Sequence, residues 1–599
     1  MPPHRQGVSE SEDATKDGTI FRKAEAAYNS LLHIVGSPGR YQIILIFLLG
    51  LGTLSVTVND YVSIFYATPP TGIYCKIPEH HTTKGVMPDC IAQFIIELQN
   101  SSKTDVDFLY AEIDPEYCYI TPPGANLTNS DLEFRSCRGW NCPYDVIQNF
   151  THEREWTVVA QWGLSCEKYW LFTLSLVLYF TGAFVGTLLF EMVTRRLGFK
   201  SYMWVWFLIS VVLCLGFGFE KAFWLFVLMR FLLGVIGHGL RYSCTRLMFD
   251  LLPSEQRLGV VTALAFSSGT GLVVLGMLAY FIMDWRFILY GTLIFSAIGV
   301  SYQWTVPESL QWLLSTSQTL QAQQVFYKIL AKNRQFVTAG VDATISSTSA
   351  TLSQAHQSDQ TWRIMLRSPD TSRPFTALLS LCFICNMVSY GSLLLLPHLG
   401  GSIYLNVTVS GLLEICGVVC GLLLLRRMSL CRIIFVSVFM GGLLCFTAGL
   451  IPGGLPKMGT VEITRTALIL LGRVCIATAA AYLLEMFLRV MPLSCRNSAF
   501  GLYGAVATFG AAVGSMFNQL ARFEYQVPFL VFGILCVTCA FLTFALPVDD
   551  FLEKPLVLDP EDFTIDRDVN NSADYPEQDE EDLVFEPLPE MTRSPYILS

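Results

Sequence analysis

Twelve apolar stretches, each of roughly bilayer-crossing length, constrain this chain more than any other feature. A helix that spans a bilayer needs about 20 predominantly apolar residues. The chain is 52% apolar and only 15% charged, as expected of a membrane protein. The stretches run from Tyr41 to Tyr66, Trp170 to Phe190, Tyr202 to Phe219, Phe223 to Leu240, Val260 to Met283, Ile288 to Val306, Thr376 to Leu396, Val409 to Leu425, Ile433 to Ile451, Ala467 to Phe487, Ser498 to Phe517 and Pro528 to Leu546.

A polar loop of about one hundred residues (67–169) separates the first two stretches and orients the whole chain. Glycosylation sequons are used only in the secretory lumen, and disulfides persist only in oxidising compartments. The loop therefore faces outward, and twelve spans place both termini in the cytoplasm. No cleavable signal peptide is expected before the first span. The loop carries three N-x-[ST] sequons, at Asn100, Asn126 and Asn149, and six cysteines, Cys75, Cys90, Cys118, Cys137, Cys142 and Cys166.

The charges of the short connections agree with this orientation. Cytoplasmic loops of membrane proteins are enriched in Lys and Arg. The connections after the second, fourth, eighth and tenth stretches hold Arg195, Arg196, Lys200, Arg241, Arg246, Arg257, Arg426, Arg427, Arg432, Arg489 and Arg496.

Two longer polar regions complete the plan. The segment 548–599 is predicted to be a disordered cytosolic tail: from Asp549 onward it has 16 acids and 3 bases, a net charge of -13 in a chain of net charge -10. The segment 307–374 divides the stretches six and six. Within it, Leu320 to Leu330 is amphipathic, and the Ser/Thr/Gln-rich Thr344 to Thr361 has little to bury.

We therefore predict an all-α membrane protein with twelve transmembrane helices in two six-helix bundles, the plan of the major facilitator transporters. The predicted parts are a cytosolic N-terminus (1–40), the first helix (41–66), the outer loop (67–169), helices two to six (170–306), the linker (307–374), helices seven to twelve (375–547) and the tail (548–599).

Local motifs resemble those of the organic ion transporter family of solute carriers, which handle organic cations, anions and zwitterions. The similarity extends over nearly the whole membrane region, from Gly39 to about Pro547. The motifs are Gly-Arg-Tyr-Gln at 39–42, Trp-Gly-Leu-Ser-Cys at 162–166, Arg-Phe-Leu-Leu-Gly at 230–234, Asp-Trp-Arg at 284–286, Pro-Glu-Ser-Leu-Gln-Trp-Leu-Leu at 307–314, Gly-Gly-Ser-Ile-Tyr-Leu-Asn at 400–406 and Ser-Gly-Leu-Leu-Glu at 410–414.

The resemblance implies a cytoplasmic gate held by a network of charges, and this chain departs from the family pattern there. Arg195 stands where the family has an aspartate, and Arg489 where it has a glutamate. Like charges at both places would weaken or rewire the gate. The gate residues implied are Arg195, Arg196, Lys200, Asp250, Arg257, Glu308, Arg489 and Arg496.

The positions that the family uses to select charge are also altered. Ala481 occupies the position of an acid found in cation-handling members. Thr508 occupies a position that is aspartate in cation members and arginine in anion members. Because an unpaired ion is costly to desolvate, a cavity with both positions neutral should favour neither cations nor anions strongly.

A few polar residues remain inside the apolar stretches, and such residues are functional candidates because burying them costs free energy. Asn386 and Tyr390 lie one turn apart and share a helix face. The others are His238, Glu414, Arg473 and Glu485. The alternatives are simple polar packing for His238, core packing for Asn386 and Tyr390, a helix dipole or a basic partner for Glu414, and solvation or a link to the gate for Glu485. Substrate-cavity candidates are Asn386, Tyr390, Glu414, Arg473, Ala481 and Thr508.

Taken together, the sequence predicts a plasma-membrane transporter that moves a small organic solute by alternating access and needs no cofactor or metal. No enzyme signature is found, and nucleic acid is not an expected partner. The expected partners are the solute, the lipid bilayer and cytosolic proteins that contact the acidic tail. The alternative is a transport-poor surface receptor or interaction protein that acts through its glycosylated ectodomain.

The outer loop generates a direct test of the topology. We expect three disulfides among the six loop cysteines, and glycans on Asn100, Asn126 and Asn149. Peptide mapping of protein taken from the cell surface measures both. Free thiols at these cysteines, or a mass that does not change with glycosidase, would contradict the predicted topology.

Overall fold

The structure is a computed structural model, and it describes residues 23–24, 26–35, 38–66, 73–76, 110–113, 120–121, 157–162, 164, 168–217, 220–253, 256–282, 284–335, 340–357, 369–451, 459–491, 493–521 and 526–546. The predicted glycosylation sites, the predicted disulfides and the acidic tail lie outside the described residues. Of the loop cysteines, Cys75 falls in a strand, but its side chain is not described.

Within the described residues, 12 helices are long and apolar enough to cross a membrane, which confirms the predicted fold class. The spanning helices are α1 (Arg40–Tyr61), α2 (Tyr169–Leu197), α3 (Phe199–Gly216), α4 (Phe223–Asp250), α5 (Arg257–Ile282), α6 (Trp285–Val300), α7 (Pro369–Leu394), α8 (Ile403–Leu424), α9 (Leu430–Leu450), α10 (Gly459–Val490), α11 (Leu493–Ala521) and α12 (Gln526–Ala540). Short helical pieces extend α1 (Ser63–Tyr66), α6 (Tyr302–Thr305) and α12 (Phe541–Ala545).

The helices pack as two related halves, α1–α6 and α7–α12. In the first half α1 packs on α4 and α5, α2 on α4, and α3 on α6; in the second half α7 packs on α10 and α11, α8 on α10, and α9 on α12. These pairings correspond if six is added to each helix number. Between the halves, α2 packs on α11 and α5 packs on α8. The same correspondence turns α2 into α8 and α5 into α11, so it interchanges these two contacts. The two halves therefore share one packing pattern, as expected of the internal repeats of transporter folds.

Several helices run further than the apolar stretches predict, and two of these extensions change where charged residues lie. Helix α4 continues to Asp250 and α10 continues to Val490. Arg241 and Arg246, which the sequence placed in the connection after the fourth span, therefore lie inside α4, and Arg489 lies inside α10. We call the end of the bundle where α1 begins the inner end, which the loop charges predict to face the cytosol, and the opposite end the outer end.

The N-terminal segment and the linker pack against the inner end. Residues 26–34 are helical, and the Tyr28 hydroxyl donates to the carbonyl oxygen of Asp250 at 2.7 Å. The linker forms helices Leu310–Ser315, Thr319–Asn333 and Val341–Gln357. Asn333 joins the two parts, because its side chain donates to the Val35 carbonyl and accepts from the Tyr41 N–H, both at 3.1 Å.

The expectation that Thr344 to Thr361 has little to bury is wrong for its first part. Residues up to Gln357 belong to a helix whose Ile345 and Leu352 side chains are buried. The Ser349 hydroxyl, also buried, donates to the Leu314 carbonyl at 3.0 Å. Sparse apolar residues at helical spacing are enough here because hydroxyl groups can bond to nearby carbonyls instead of water.

At the outer end, the last part of the loop is held by aromatic side chains of α4 and α6. We call residues 157–162 and 164 the stalk. Trp162 lies 5.1 Å from Phe226 and 5.9 Å from Trp285, measured between ring centroids. The Trp285 indole N–H donates to the Gln161 side chain at 3.2 Å. The rest of the loop contributes a small antiparallel sheet of β1 (Ile73–Lys76), β2 (Tyr110–Ile113) and β3 (Ile120–Thr121), in the order β1-β2-β3.

Helices α2 and α4 approach closely because glycines line their contact. A Cβ added at Gly186 would collide with the backbone of Val235, and one at Gly234 would collide with the carbonyl of Tyr179. Small residues at such contacts let helix backbones approach, and dispersion contacts then stabilise the pair.

This contact predicts a position-specific effect of alanine. Gly186→Ala should lower the apparent unfolding temperature of purified protein by several degrees, because overpacking costs about 1–3 kcal/mol. Gly259→Ala is the matched control, since a Cβ there has nothing within 4 Å. A thermal scan in which the two variants unfold at the same temperature would contradict the close approach of α2 and α4.

Candidate functional site

A buried carboxylate, that of Asp60 in α1, connects three other helices. Its Oδ1 accepts from the Tyr179 hydroxyl of α2 at 2.6 Å and lies 3.1 Å from His238 Nε2 of α4. Its Oδ2 accepts from Arg241 Nη2 of α4 at 2.7 Å and from the Tyr390 hydroxyl of α7 at 3.3 Å. The carboxylate is fully buried. We call these five residues the Asp60 cluster.

The cluster is neutral when His238 is neutral, because the Asp60 and Arg241 charges cancel. An ionised carboxylate can only accept, so Nε2 of His238 carries the hydrogen that faces Asp60. Nδ1 of His238 is buried and has no hydrogen-bond partner among the described residues. A buried ion pair of this kind is tolerable only while its hydrogen bonds are satisfied.

A second buried ion pair lies in the other half of the bundle. Arg473 of α10 donates through Nη2 to Glu414 Oε2 of α8 at 2.8 Å, and through Nη1 to the Ser410 hydroxyl at 2.7 Å. Both charged side chains are buried. The two residues that the sequence marked as separate candidates are therefore partners, and Glu414 has the basic partner that was one of its alternatives.

Tyr61 connects the two charged groups. Its ring stacks on that of Tyr390, with centroids 5.2 Å apart. It is also within electrostatic reach of the Glu414–Arg473 pair and of Asp60. The first half thus supplies four residues of the Asp60 cluster, the second half supplies Tyr390 and the Glu414–Arg473 pair, and the stacked rings of Tyr61 and Tyr390 lie where the halves meet.

The remaining cavity candidates carry no charge. Thr508 is buried, and its hydroxyl donates within its own helix, to the carbonyls of Gly504 and Ala505 at 3.0 Å. Asn386 donates to the Cys382 carbonyl at 2.8 Å, also within its helix. Ala481 is half-buried. Of the predicted candidates, the structure therefore brings together Tyr390, Glu414 and Arg473 with Asp60, and leaves Asn386 bonded within its helix.

At the inner end, Glu308 closes the turn between α2 and α3. Its carboxylate accepts from the backbone N–H groups of Phe199 at 2.9 Å and Lys200 at 3.1 Å, at the start of α3. Gly198 makes this turn with φ +79, and a Cβ there would meet the Glu308 carboxylate. Negative charge at a helix N-terminus is favourable. Burial raises the pKa of Glu308 above its ordinary value, although the N–H donors act in the opposite direction.

Asp250 joins α4 to the linker and the N-terminal segment. Its Oδ2 accepts from the Ser309 hydroxyl at 2.6 Å, and its Oδ1 lies 3.4 Å from Arg246 Nε. Arg257 and Tyr28 line a cleft together with Asp250. The inner end is thus held by an acid on α4 and by Glu308 from beyond α6.

The contacts of the two substituted gate positions differ from the expected repulsion. Arg195 pairs with Glu191 of α2 at 2.6 Å, and Arg489 pairs with Glu485 of α10 at 2.8 Å. Each guanidinium is neutralised within its own helix, one turn away. Arg196 is exposed. Arg496 lies in the first turn of α11, and its side chain is outside the described part of the chain.

Sequence reasoning missed the residue on which the site is centred. Asp60 lies inside the first apolar stretch and was a charged intramembrane residue like the others, but it was not singled out. Arg230 was quoted only as part of a motif; it is buried, with its guanidinium 4.1 Å from the centroid of the Tyr179 ring. A search for every ionisable residue within the apolar stretches would have found both.

The Glu414–Arg473 pair predicts a non-additive pattern of stability. Arg473→Met or Glu414→Gln alone leaves an uncompensated buried charge, which costs about 3–5 kcal/mol. The double variant removes both charges and should recover most of that loss. Thermal unfolding of the four purified proteins gives the coupling. If the double variant is as unstable as the sum of the single variants, the pair is not coupled.

Comparison with known proteins agrees with this architecture. The Major Facilitator Superfamily model matches residues 167–515. Solute carrier family 22 member 3 of Mus musculus is 26% identical over 401 residues, covering 65% of this chain and 69% of that protein. Organic cation/carnitine transporter 2 of Homo sapiens is 24% identical over 558 residues, covering 87% and 91%.

Among solved structures, the xylose transporter XylE from E. coli in a partially occluded inward open conformation is similar with a TM-score of 0.54 and 14% identity. The similarity covers 84% of this chain and 99% of XylE, and it concerns the fold alone. The helix arrangement, the family match and the relatives agree: the chain belongs to the major facilitator superfamily and resembles the organic ion transporters within it.

Proposed function

We propose that this protein moves a small organic solute across the plasma membrane by alternating access. The solute binds where the Asp60 cluster meets the Glu414–Arg473 pair. The solute and any ion bound with it, together called the load, carry no net charge when the site closes around them. The protein acts as a carrier rather than as an enzyme, and the step needs no cofactor.

The observation that carries this proposal is the internal neutrality of both charged groups. The Asp60 cluster and the Glu414–Arg473 pair each contain one carboxylate and one guanidinium in contact. The family's charge-selecting positions, Ala481 and Thr508, add nothing to either side. Closing a low-dielectric site on an unbalanced charge costs several kcal/mol, so a net-neutral load is the one that such a site can occlude.

The contacts between the halves fall into two groups, one at the outer end and one at the inner end, which we propose form and break in turn. At the outer end, Tyr61 stacks on Tyr390, and Phe65 stacks on Tyr404 of α8 with centroids 5.5 Å apart. These contacts, with the Tyr390–Asp60 hydrogen bond, break when the halves separate at the outer end. The Glu308 and Asp250 contacts belong to the inner end, and the exposed Arg196 and the α3 residue Lys200 add positive charge there.

The proposal includes the topology inferred from the loop charges and sequons. The loop 67–169 is extracellular, with glycans and disulfides, and both termini and the linker 307–374 are cytosolic. The acidic tail 548–599 is then available to cytosolic partners.

A surface receptor is the second candidate, and one observation favours it. The polar groups of the central site are bonded to one another across the two halves, with Tyr390 reaching Asp60 and Tyr61 stacked between them. A bundle held closed in this way could present its extracellular loop without turning over. Flux of any solute well above background separates the two candidates.

Charge selection at Thr508 provides the test. Gly504, one turn earlier on α11, faces α4 of the other half: a Cβ there would lie 2.5 Å from the ring of Tyr242. Thr508 therefore projects toward the interface between the halves. Thr508→Asp should raise uptake of a quaternary ammonium probe, and Thr508→Arg should raise uptake of a monocarboxylate probe, each by about tenfold, equivalent to 1.4 kcal/mol.

The measurement is radiolabelled uptake at matched surface expression, with Thr508→Ser as the control that keeps the hydroxyl. Equal uptake of both probes by all four proteins, above background, would show that α11 does not face the solute. No uptake of any probe by any of them would support the receptor.

A further inference from the structure

We propose that His238 and Asp60 form a proton-binding site, and that the solute is an organic monoanion which enters together with that proton. This inference rests on the proposed transport function and names its coupling ion and solute class. It starts from Nδ1 of His238, a buried nitrogen of the Asp60 cluster that has no hydrogen-bond partner among the described residues and that can accept a proton.

The geometry leaves one place for an extra proton. Nε2 of His238 already carries the hydrogen that faces Asp60, at 3.1 Å. Nδ1 of the same ring is buried and has no hydrogen-bond partner among the described residues. Of all side chains, an unperturbed histidine is the one that changes charge between about pH 5 and 8. Buried acid and histidine groups within membrane helices often act as proton relays.

The charges around this site determine what a proton does there. Without it, Asp60 and Arg241 cancel, and His238 is neutral. Tyr179 and Tyr390 donate hydroxyl hydrogens to Asp60 and add no charge, Arg230 stacks on Tyr179, and the Glu414–Arg473 pair beyond Tyr61 is neutral in itself. A proton taken from water by Nδ1 therefore adds one positive charge and one buried N–H without an acceptor.

The closed, empty protein consequently disfavours the proton. The cost disappears in either of two ways: the halves separate and water reaches Nδ1, or an anionic group of the solute accepts the hydrogen bond and cancels the charge. A solute carboxylate facing the Nδ1–H makes the protonated, loaded site neutral again. The protein then closes with neither proton nor anion or with both, which is the condition for coupled transport.

Linkage gives the sign of the pH effect. Because open states bind the proton better than the closed empty state, lowering the pH must shift the empty protein toward open states. Raising the pH must shift it toward the closed state. This consequence involves the protein and the proton alone, and so it is measurable before the solute is known.

The experiment uses full-length protein in nanodiscs, where both faces are accessible. A cysteine introduced at the buried Thr508 reports opening through its labelling by a hydrophilic maleimide. Labelling is normalised to that of the unfolded chain at the same pH, and the background of the chain without Thr508→Cys is subtracted. From about pH 8 to about pH 5.5, we expect the labelling rate to rise by about fivefold or more, within the usual range of coupling between two sites.

Two substitutions should act in opposite directions. His238→Gln keeps an N–H donor toward Asp60 but cannot take the proton, so labelling should stay low at every pH. Asp60→Asn removes the negative charge and leaves Arg241 unbalanced, so labelling should stay high at every pH. The exposed His33 is the matched control, and His33→Gln should retain the full pH response.

A pH-independent labelling rate in the otherwise unchanged protein, or a full pH response in His238→Gln, overturns the proton site. The His238→Gln result tests the site even if Asp60→Asn does not fold.

A separate experiment measures uptake of a radiolabelled monocarboxylate and a zwitterionic trimethylammonium carboxylate into proteoliposomes. Monocarboxylate uptake driven by an inward proton gradient supports the coupling. Preference for the zwitterion, without response to the gradient, overturns it. No flux of either probe, with labelling that still responds to pH, removes the transport function and leaves the proton site.

Discussion

The carboxylate of Asp60 is the constraint around which the membrane part is arranged. It is fully buried, and it accepts from side chains of α2, α4 and α7. A buried charge requires hydrogen-bond donors, and in this closed arrangement all three helices supply them to α1. Because α7 belongs to the other half, the same carboxylate couples the packing of one half to its contact with the other.

The inner end shows how the charges of this chain are balanced where it departs from the family pattern implied by its sequence. The family pattern uses an aspartate near the end of α2, where this chain has Arg195. Here a carboxylate still occupies the N-terminus of α3, but it is that of Glu308, which arrives from beyond α6. Arg195 is neutralised by Glu191 of its own helix, so its charge is balanced within α2.

Much of the fold follows from the sequence because the bilayer imposes length and apolarity on every spanning helix, and these can be read directly. The ends of α4 and α10 do not follow, since arginines after an apolar stretch indicate a loop, whereas here they belong to helices that continue with mostly buried side chains. The candidate site was only partly predictable for a similar reason. Glu414 and Arg473 were each recognisable as costly to bury, but they belong to helices whose approach is set by packing, so their pairing is not encoded in any local pattern. Asp60 was detectable by the same criterion and was overlooked.

Among the described residues, the stalk is held by aromatic side chains of the first half of the bundle. The loop leaves from α1 and returns to α2, and its final turn is held between aromatic rings of α4 and α6, all within the first six helices. In the alternating access proposed for this protein, the stalk moves together with the first half. A molecule that binds the stalk alone would therefore not oppose the relative motion of the two halves, whereas one that also binds the outer ends of α7 and α8 would hold the halves together. The stalk thus provides an attachment point on one of the two halves.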